Sequence, residues 1–155
     1  MNLSPHFTLV EMTVSSKGTR LGLDNTPTPQ AMDKLYDTAA GLERVRDVLC
    51  TPIVVISGYR SPKVNAAVGG AMHSQHMNGE AADFISPSFG TPLDICREIL
   101  NHADYVDFDQ LIWEGAGHGG GAWVHISFSD TPRRSVMTAT FQNGKAVYSK
   151  GLPKS

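Results

Sequence analysis

Residues 74–83, with the sequence SQHMNGEAAD, restrict the possible folds of this 155-residue chain more than any other stretch. His76 and Asp83 lie seven positions apart with Gly79 between them, and neutral imidazole and carboxylate are both common zinc ligands. This spacing is too wide for two ligands on successive turns of one helix. It therefore predicts a loop that carries His76, turns at Gly79 and continues into a strand ending near Asp83.

A third ligand has to come from a distant part of the chain, and His125 is the best candidate. It lies in residues 123–128, WVHISF, where apolar side chains alternate with other types as in a half-buried strand. Val124, Ile126 and Phe128 would then face the core, while His125 would face a cleft. Two histidines and one aspartate would leave the fourth coordination position of a zinc ion open to water, which is typical of catalytic rather than structural sites.

The length and composition predict a single domain with one core, since 155 residues with 41% hydrophobic content suit that size class. A formal net charge of -2 argues against a polycationic surface for nucleic acids or membranes. No apolar run approaches the roughly 18 residues of a membrane span, and residues 1–10 lack the features of a secretory signal. We expect a monomer synthesised in the bacterial cytoplasm, with Cys50 and Cys96 as buried thiols rather than a disulfide.

Periodicity and turn signals predict an α+β domain with a small central antiparallel sheet flanked by helices. A long amphipathic helix should begin near Pro29, with Thr28 as its cap. The other predicted segments are, in order, a short helix at residues 4–12, a polar loop at 15–29, strands at 52–57 and 81–85, a helix capped by Thr91, and strands at 108–114 and 122–128.

Two hairpins are predicted in the second half of the chain. The strands at 108–114 and 122–128 are joined by a glycine-rich segment, which is most often an antiparallel connection, and such pairing would bring Glu114 within reach of His125. The last hairpin turns at the Asn-Gly pair 143–144, a strong type I′ signal. We therefore divide the single domain into an N-terminal helical part at residues 1–50, a metal-site core at 51–128 and a C-terminal hairpin at 129–155.

These motifs occur in the order found in a known family. The pattern S-x-H-x-x-G-x-A-x-D at residues 74–83, together with SGYRS at 57–61 and WVH at 123–125, resembles the signature of zinc D-alanyl-D-alanine peptidases and dipeptidases, whose fold is shared by the hedgehog signalling domain. Residues 3–7, LSPHF, and residues 60–70 look especially like the compact members encoded by phages and prophages. The resemblance covers nearly the whole chain and implies a fold of the hedgehog and DD-peptidase type.

The resemblance also implies roles for individual residues. It implies one zinc ion per chain, bound by His76, Asp83 and His125. It implies that Arg60 faces the substrate carbonyl or carboxylate and helps to hold the oxyanion. Ser74 would hydrogen-bond the substrate near the scissile bond.

The general base is the point at which this sequence departs from the family. Several relatives carry a glutamate or aspartate three residues before the last zinc histidine, and another branch carries a histidine two residues before it, but these positions hold Ala122 and Trp123 here. Glu114 is the first candidate for the base because the predicted hairpin brings it near the metal, and His118 is the second. Trp123 itself is interpreted either as a substrate platform or as packing in the cleft wall.

Three functional hypotheses follow from these residues. The first is a zinc peptidase that cuts a peptide bond in a stem peptide or cross-link of peptidoglycan, in an endolysin-like role that begins once the enzyme is released from the cell. The second is a non-catalytic, zinc-stabilised module that binds the wall or forms part of a virion, and the missing acid at position 122 favours it. The third is a carboxypeptidase or dipeptidase acting on D-Ala-D-Ala. The expected partners are peptidoglycan peptides, with neither nucleic acid nor membrane.

Overall fold

The computed structural model describes residues 1–116 and 121–154, which form a six-stranded sheet and the helices around it. The α-helices are α1 (Leu9–Thr13), α2 (Ser16–Arg20), α3 (Pro29–Leu49), α4 (Pro62–Ala67), α5 (Pro92–Asn101) and α6 (Ala103–Val106). The strands are β1 (Val54–Ser57), β2 (Ala81–Ile85), β3 (Gln110–Glu114), β4 (Trp123–Ser127), β5 (Ser135–Gln142) and β6 (Lys145–Lys150). A short 3₁₀ helix, Gln75–Asn78, precedes β2. Within the described residues, none of the helices combines the length and hydropathy that a membrane crossing requires.

The strands follow the order β1-β2-β4-β3-β5-β6 across the sheet. Neighbouring strands pair antiparallel except β3 and β5, which run parallel with Gln110 opposite Ser135 and Glu114 opposite Ala139. The predicted α+β class is confirmed, but the sheet is mixed rather than wholly antiparallel. The difference arises because β5 runs opposite to β4 yet lies on the far side of β3, so the chain between β4 and β5 has to pass the end of β3.

Helix α3 begins where the sequence signals predict. The side-chain oxygen of Thr28 accepts a hydrogen bond from the backbone N–H of Ala31, and Pro29 occupies the first turn, where a missing N–H costs little. The helix ends at Leu49 and is followed by Cys50, whose φ of 55° lies in the left-handed region. Cys96 is buried as predicted, but Cys50 is exposed, because it lies one position beyond the helix and outside its buried stripe.

Alternation along the strands gives the sheet one covered and one open face. Five fully buried strand residues pack in one cluster with apolar residues of α3 and α5: Ala82, Phe84, Leu111, Val124 and Ile126. Asp83 and His125 alternate with these residues and therefore point to the opposite face. The predicted orientation of residues 123–128 is confirmed, and the open face is left to carry polar side chains.

The two N-terminal helices differ in extent from the prediction. Helix α1 begins after Thr8, which forms a capping box with Glu11, rather than at residue 4. Helix α2 lies inside residues 15–29, for which the sequence predicts a polar loop, and Ser15 caps it by accepting a hydrogen bond from the N–H of Gly18. Helices this short contain too few periodic positions to give a clear sequence pattern.

The C-terminal hairpin matches the prediction closely. Strands β5 and β6 pair antiparallel, with Gln142 opposite Lys145 next to the turn. Asn143 and Gly144 both have positive φ angles, of 53° and 77°, as a type I′ turn requires. The hairpin extends the sheet beyond β3. Side chains of β5 and β6 therefore also lie on the open face that carries Asp83 and His125.

Candidate metal centre

The three side chains predicted as metal ligands come together on the open face of the sheet. Asp83 on β2 lies directly opposite His125 on β4 in the antiparallel register, and His76 comes from the 3₁₀ helix that precedes β2. Their ligand atoms lie within 4.8 Å of one another. All three residues are buried, with exposures of 2% for His76, 6% for Asp83 and 7% for His125.

The two imidazoles meet at one oxygen of Asp83. Its Oδ1 lies 3.2 Å from Nε2 of His76 and 3.0 Å from Nδ1 of His125. Although burial alone raises it, the charges and hydrogen bonds of the two histidines hold the pKa of Asp83 well below its usual range. The carboxylate is therefore ionised at neutral pH and has lone pairs to offer to a cation.

A backbone carbonyl orients His76 from behind. Nδ1 of His76 lies 2.7 Å from the carbonyl oxygen of Gly58, and because a carbonyl can only accept, Nδ1 carries the proton of the neutral ring. In the neutral ring that can bind a metal, the lone pair is therefore on Nε2, the nitrogen that faces Asp83. Such a carbonyl is a common partner of metal-ligating histidines. A side chain at Gly58 would clash with the backbone of Met12, so glycine allows the backbones of residues 12 and 58 to pack closely.

Gly79 makes the predicted turn between the two ligands of the 74–83 motif. Its φ is 78°, in the left-handed region that side chains rarely adopt, and a Cβ at this position would lie 2.5 Å from the carbonyl oxygen of Ala31 on α3. The hydroxyl of Thr38, also on α3, donates to the Gly79 carbonyl at 2.6 Å. The turn that separates His76 from Asp83 is thereby fixed against the longest helix.

The donor set fits a zinc ion. Two imidazole nitrogens and one carboxylate oxygen are ordinary zinc ligands, and three protein ligands with one open side are typical of catalytic sites. His76, Asp83 and His125 all line a cleft of about 1100 Å³. Among the described residues, these three are the metal-ligating side chains whose ligand atoms lie close enough together to share one metal ion.

Glu114 lies beside this group on the neighbouring strand. The ladder between β3 and β4 pairs Glu114 with Trp123, and Oε1 of Glu114 lies 3.7 Å from Nδ1 of His125. Burial and the negative charge of Asp83 raise the pKa of the Glu114 carboxyl above its ordinary value. The predicted hairpin, and with it the approach of Glu114 to His125, is confirmed. His118, the second candidate base, lies outside the described residues.

Arg60 is held on the other side of Asp83. Its Nη2 lies 3.4 Å from Oδ2 of Asp83. Its Nε donates to Oγ of Ser57 at 3.1 Å, and its Nη1 donates to Oδ1 of Asn65 at 3.0 Å. Arg60 therefore lines the cleft in a fixed position, with each of its nitrogens in contact with a partner. Asn65 gives no signal in the sequence, because one polar residue in the short helix α4 belongs to no recognisable pattern.

Ser74 and Trp123 both line the cleft. The hydroxyl oxygen of Ser74 also accepts a hydrogen bond from the backbone N–H of His76 at 3.2 Å and so caps the 3₁₀ helix. Trp123 packs against Phe141 of β5, with ring centroids 5.9 Å apart. Its buried Nε1 has no hydrogen-bond acceptor within the described part of the chain. The indole thus contributes to the wall of the cleft.

The C-terminal hairpin forms a further wall of the cleft. Its lining residues are Met137, Phe141, Ala146 and Tyr148. Tyr148 pairs with Ala139, which pairs in turn with Glu114, so the tyrosine lies across one small residue from the candidate base. Burial, together with the negative charges of Glu114 and Asp83, raises the pKa of Tyr148. Strand alternation alone could not reveal this wall, because it depends on β5 lying beside β3.

This chain is similar to a known protein family and to solved structures. A sequence model of the family described as Peptidase M15 matches residues 5–127, a range that contains all three candidate ligands and Glu114. The crystal structure of the Serratia marcescens L-Ala D-Glu endopeptidase ChiX is similar at 19% sequence identity and a TM-score of 0.41, covering 66% of this chain and 88% of that chain. None of the curated proteins matches the chain.

Proposed function

The chain belongs to the Peptidase M15 family, and from that premise we propose that it is a zinc-dependent peptidase that hydrolyses a peptide bond in the stem peptides or cross-links of peptidoglycan. The observation that carries this proposal is the convergence of His76, Asp83 and His125 beside Glu114 in an open cleft. A peptide amide is a poor electrophile and water a poor nucleophile, so the site has to activate both.

His76, Asp83 and His125 would together hold one zinc ion. When bound, zinc lowers the pKa of a coordinated water towards about 7 and polarises the carbonyl of the scissile amide. The hydrogen bond from Nδ1 of His76 to Gly58 keeps the ring in the tautomer that presents Nε2. Asp83 as the third ligand makes the centre less positive than a third histidine would, which is one way to set the acidity of the water.

Glu114 is the proposed general base. Its carboxylate would take a proton from the attacking water and return it to the leaving amine, a contribution typically worth about 10²–10⁴ in rate. The raised pKa favours the first step, because a carboxylate with a higher pKa takes up a proton from water more readily than an ordinary carboxylate. Glu114 would fill the role that other family members give to residues nearer the last histidine.

Arg60 is the proposed stabiliser of the charge that develops on the substrate carbonyl oxygen. A guanidinium fixed in advance needs no reorganisation as the charge appears, and Ser57 and Asn65 hold it in this way. The hydroxyl of Ser74 would hydrogen-bond the peptide near the scissile bond, and the indole of Trp123 would form a platform against which the peptide lies. The position of both side chains in the cleft lining supports these roles.

We also propose an endolysin-like role, in which a phage or prophage enzyme reaches the wall after release from the cell. The likeness of residues 3–7 and 60–70 to compact phage-encoded members supports this role. The natural partners would then be the peptides of assembled peptidoglycan.

Digestion of defined muropeptides, with and without a chelator, tests the proposed function. We expect zinc-loaded protein to release products, the chelator to stop their release and added zinc to restore it. The masses of the products would separate an internal cut, at the L-Ala-D-Glu bond or the D-Ala cross-link, from removal of a terminal D-Ala. Zinc-loaded protein that leaves every muropeptide intact would contradict the proposal.

A non-catalytic, zinc-stabilised module that binds the wall or belongs to a virion is the second candidate. Ala122 and Trp123 favour it, because they occupy the positions at which the resemblance leads one to expect a catalytic acid or histidine. This candidate predicts stoichiometric zinc and binding to isolated walls without any change in muropeptide masses. It also predicts that substitution of Glu114 leaves wall binding unchanged.

A further inference from the structure

Asp109 and Arg133 form an ion pair beside the cleft, at the start of β3. Nε of Arg133 donates to Oδ1 of Asp109 at 2.9 Å, and Nη2 donates to Oδ2 at 2.8 Å. The backbone N–H of Arg133 also donates to Oδ1, and Nε2 of Gln75 donates to Oδ2, each at 2.9 Å. Asp109 is only 2% exposed. Its carboxylate is therefore committed to holding the arginine and Gln75 in place.

The outer side of the Arg133 guanidinium is left free for a ligand. The Arg133 side chain is 61% exposed and lines the cleft together with Gln75. Its Nη1 makes no hydrogen bond within the described residues, because the pairing with Asp109 uses Nε and Nη2. A guanidinium fixed on one edge and open on the other is arranged to donate to a planar anion such as a carboxylate.

The second arginine of the cleft is engaged differently. Each nitrogen of Arg60 already contacts Ser57, Asn65 or Asp83, and its side chain is only 13% exposed. Arg60 thus belongs to the metal centre, whereas Arg133 offers unused N–H groups away from it. The two arginines therefore differ in which of their N–H groups are available to a bound peptide.

The register of the sheet gives an approximate distance between the metal centre and Asp109, the residue that holds Arg133. Ile112 pairs with His125, and Asp109 precedes Ile112 by three residues, which is about 10 Å along an extended strand. A bound extended peptide covers the same distance in roughly three residues. A group held by Arg133 would therefore lie two to three residues along the substrate from the bond that is cut.

We propose that Arg133 binds a carboxylate of the peptide substrate that lies two to three residues from the scissile bond. Peptidoglycan stem peptides carry such carboxylates, so the proposal rests on the function proposed above and specifies a carboxylate subsite within the same cleft. Arg133 lies beyond residues 5–127, the range that the family model matches. The subsite is accordingly supplied by the part of this chain that the family model does not include.

Stem peptides in which one carboxylate at a time is replaced by its primary amide test the proposal. We expect wild-type protein to prefer the acid over the amide at one position by roughly tenfold in kcat/KM, as for one charge-assisted hydrogen bond. The preference should appear mainly in KM, because Arg133 does not touch the reacting atoms. In Arg133→Gln, the acid and amide peptides should be processed equally.

Arg134→Gln is the matched control. Arg134 is the adjacent arginine, but it pairs with Asp107 and Asp104 and does not line the cleft. This variant should keep the wild-type preference. An unchanged preference in Arg133→Gln, or a wild-type protein without any preference between acid and amide, would overturn the proposal.

Two further measurements keep the test decisive. If Arg133→Gln fails to fold, Arg133→Lys replaces it, and a clearly reduced preference in the lysine variant supports the proposal while a full wild-type preference overturns it. Fluorescence anisotropy with labelled acid and amide peptides measures binding without turnover. A binding preference that depends on Arg133 in a protein that cleaves nothing would refute the peptidase function alone. Cleavage without such a preference would refute the subsite alone.

Discussion

Glu114 owes its position to strand register rather than to sequence distance. The ladder that pairs Glu114 with Trp123 also pairs Ile112 with His125. Glu114 therefore lies two residues along β3 from the residue opposite His125, on the same face of the sheet. Burial raises the pKa of Glu114, and its Oε1 lies 3.7 Å from Nδ1 of His125, one of the candidate ligands. A buried carboxyl with a raised pKa beside such a group is a functional candidate on physical grounds.

Substitution of Glu114 by Gln should greatly reduce kcat but leave the metal in place. Gln keeps the size and polarity of the side chain but cannot take up the proton, so we expect kcat to fall by about 10²–10⁴. Elemental analysis should give the zinc content of the wild type, because the three ligands are untouched. Glu80→Gln is the matched control, since Glu80 lines the same cleft without an ion pair to these ligands among the described residues. A wild-type kcat in Glu114→Gln would remove Glu114 from the mechanism.

The candidate ligands could be predicted from the sequence, but the groups that support them could not. His76 and Asp83 stand in a short motif in which residue type and spacing carry the information. The Gly58 carbonyl and Asp109 act through contacts with residues far along the chain: 18 positions separate Gly58 from His76, and 24 separate Asp109 from Arg133. No local pattern marks a residue for such a contact, because its partner is defined only by the folded chain.

At the scale of the elements, Asp109 joins three segments at the start of β3. Its side chain holds Gln75 of the 3₁₀ helix and Arg133 of the connection to β5, and its carbonyl accepts a hydrogen bond from the N–H of Ser135 at 2.9 Å. The last of these bonds begins the parallel pairing of β5 with β3. One buried carboxylate thus links the turn before the metal ligand to the strand that forms the cleft wall.

This junction should contribute stability that disappears in acid. Hydrogen bonds from Arg133 lower the pKa of Asp109 to about 2, against about 3.9 in an unfolded chain. Above about pH 4 the carboxylate is ionised in both states and the full contribution is present, and it is lost as the pH falls from 4 to 2 because the unfolded chain takes up the proton first. With allowance for the exposure of Arg133, it amounts to roughly 1–2 kcal/mol.

The difference in unfolding free energy between wild type and Arg133→Gln measures this contribution. Denaturant titrations between pH 2 and 6 should show a deficit for the variant of about 1 kcal/mol above pH 4 that vanishes near pH 2. Arg134→Gln should show a smaller deficit, because Asp104 and Asp107 are exposed. A deficit of Arg133→Gln that is the same at pH 2 and pH 6 would show that the pair acts by packing and not by charge.

At the scale of the whole molecule, one face of the sheet holds the structure together and the other carries the site. The covered face could be predicted from strand alternation, because Val124 and Ile126 repeat at the period that buries them against α3 and α5. The parallel placement of β5 could not, because it depends on how residues 128–134 pass the end of β3. That placement brings Phe141 and Tyr148 to the cleft and makes the last hairpin part of the site.

The stability of the whole domain should depend on its metal. A ligand that binds only the folded chain stabilises it by RT ln(1 + [L]/Kd), which is about 2.7 kcal/mol at a free concentration of 100 Kd. For a domain of this size, such a gain corresponds to a rise in Tm of roughly 5–10 °C. Calorimetry of the zinc-loaded protein should therefore show a Tm that falls by this amount after chelation and recovers when zinc is returned. In His125→Ala, which lacks one of the three ligands, chelation should change Tm far less. Equal Tm values for chelated and zinc-loaded wild type, with no zinc found by elemental analysis, would mean that His76, Asp83 and His125 form a buried polar cluster and not a metal centre.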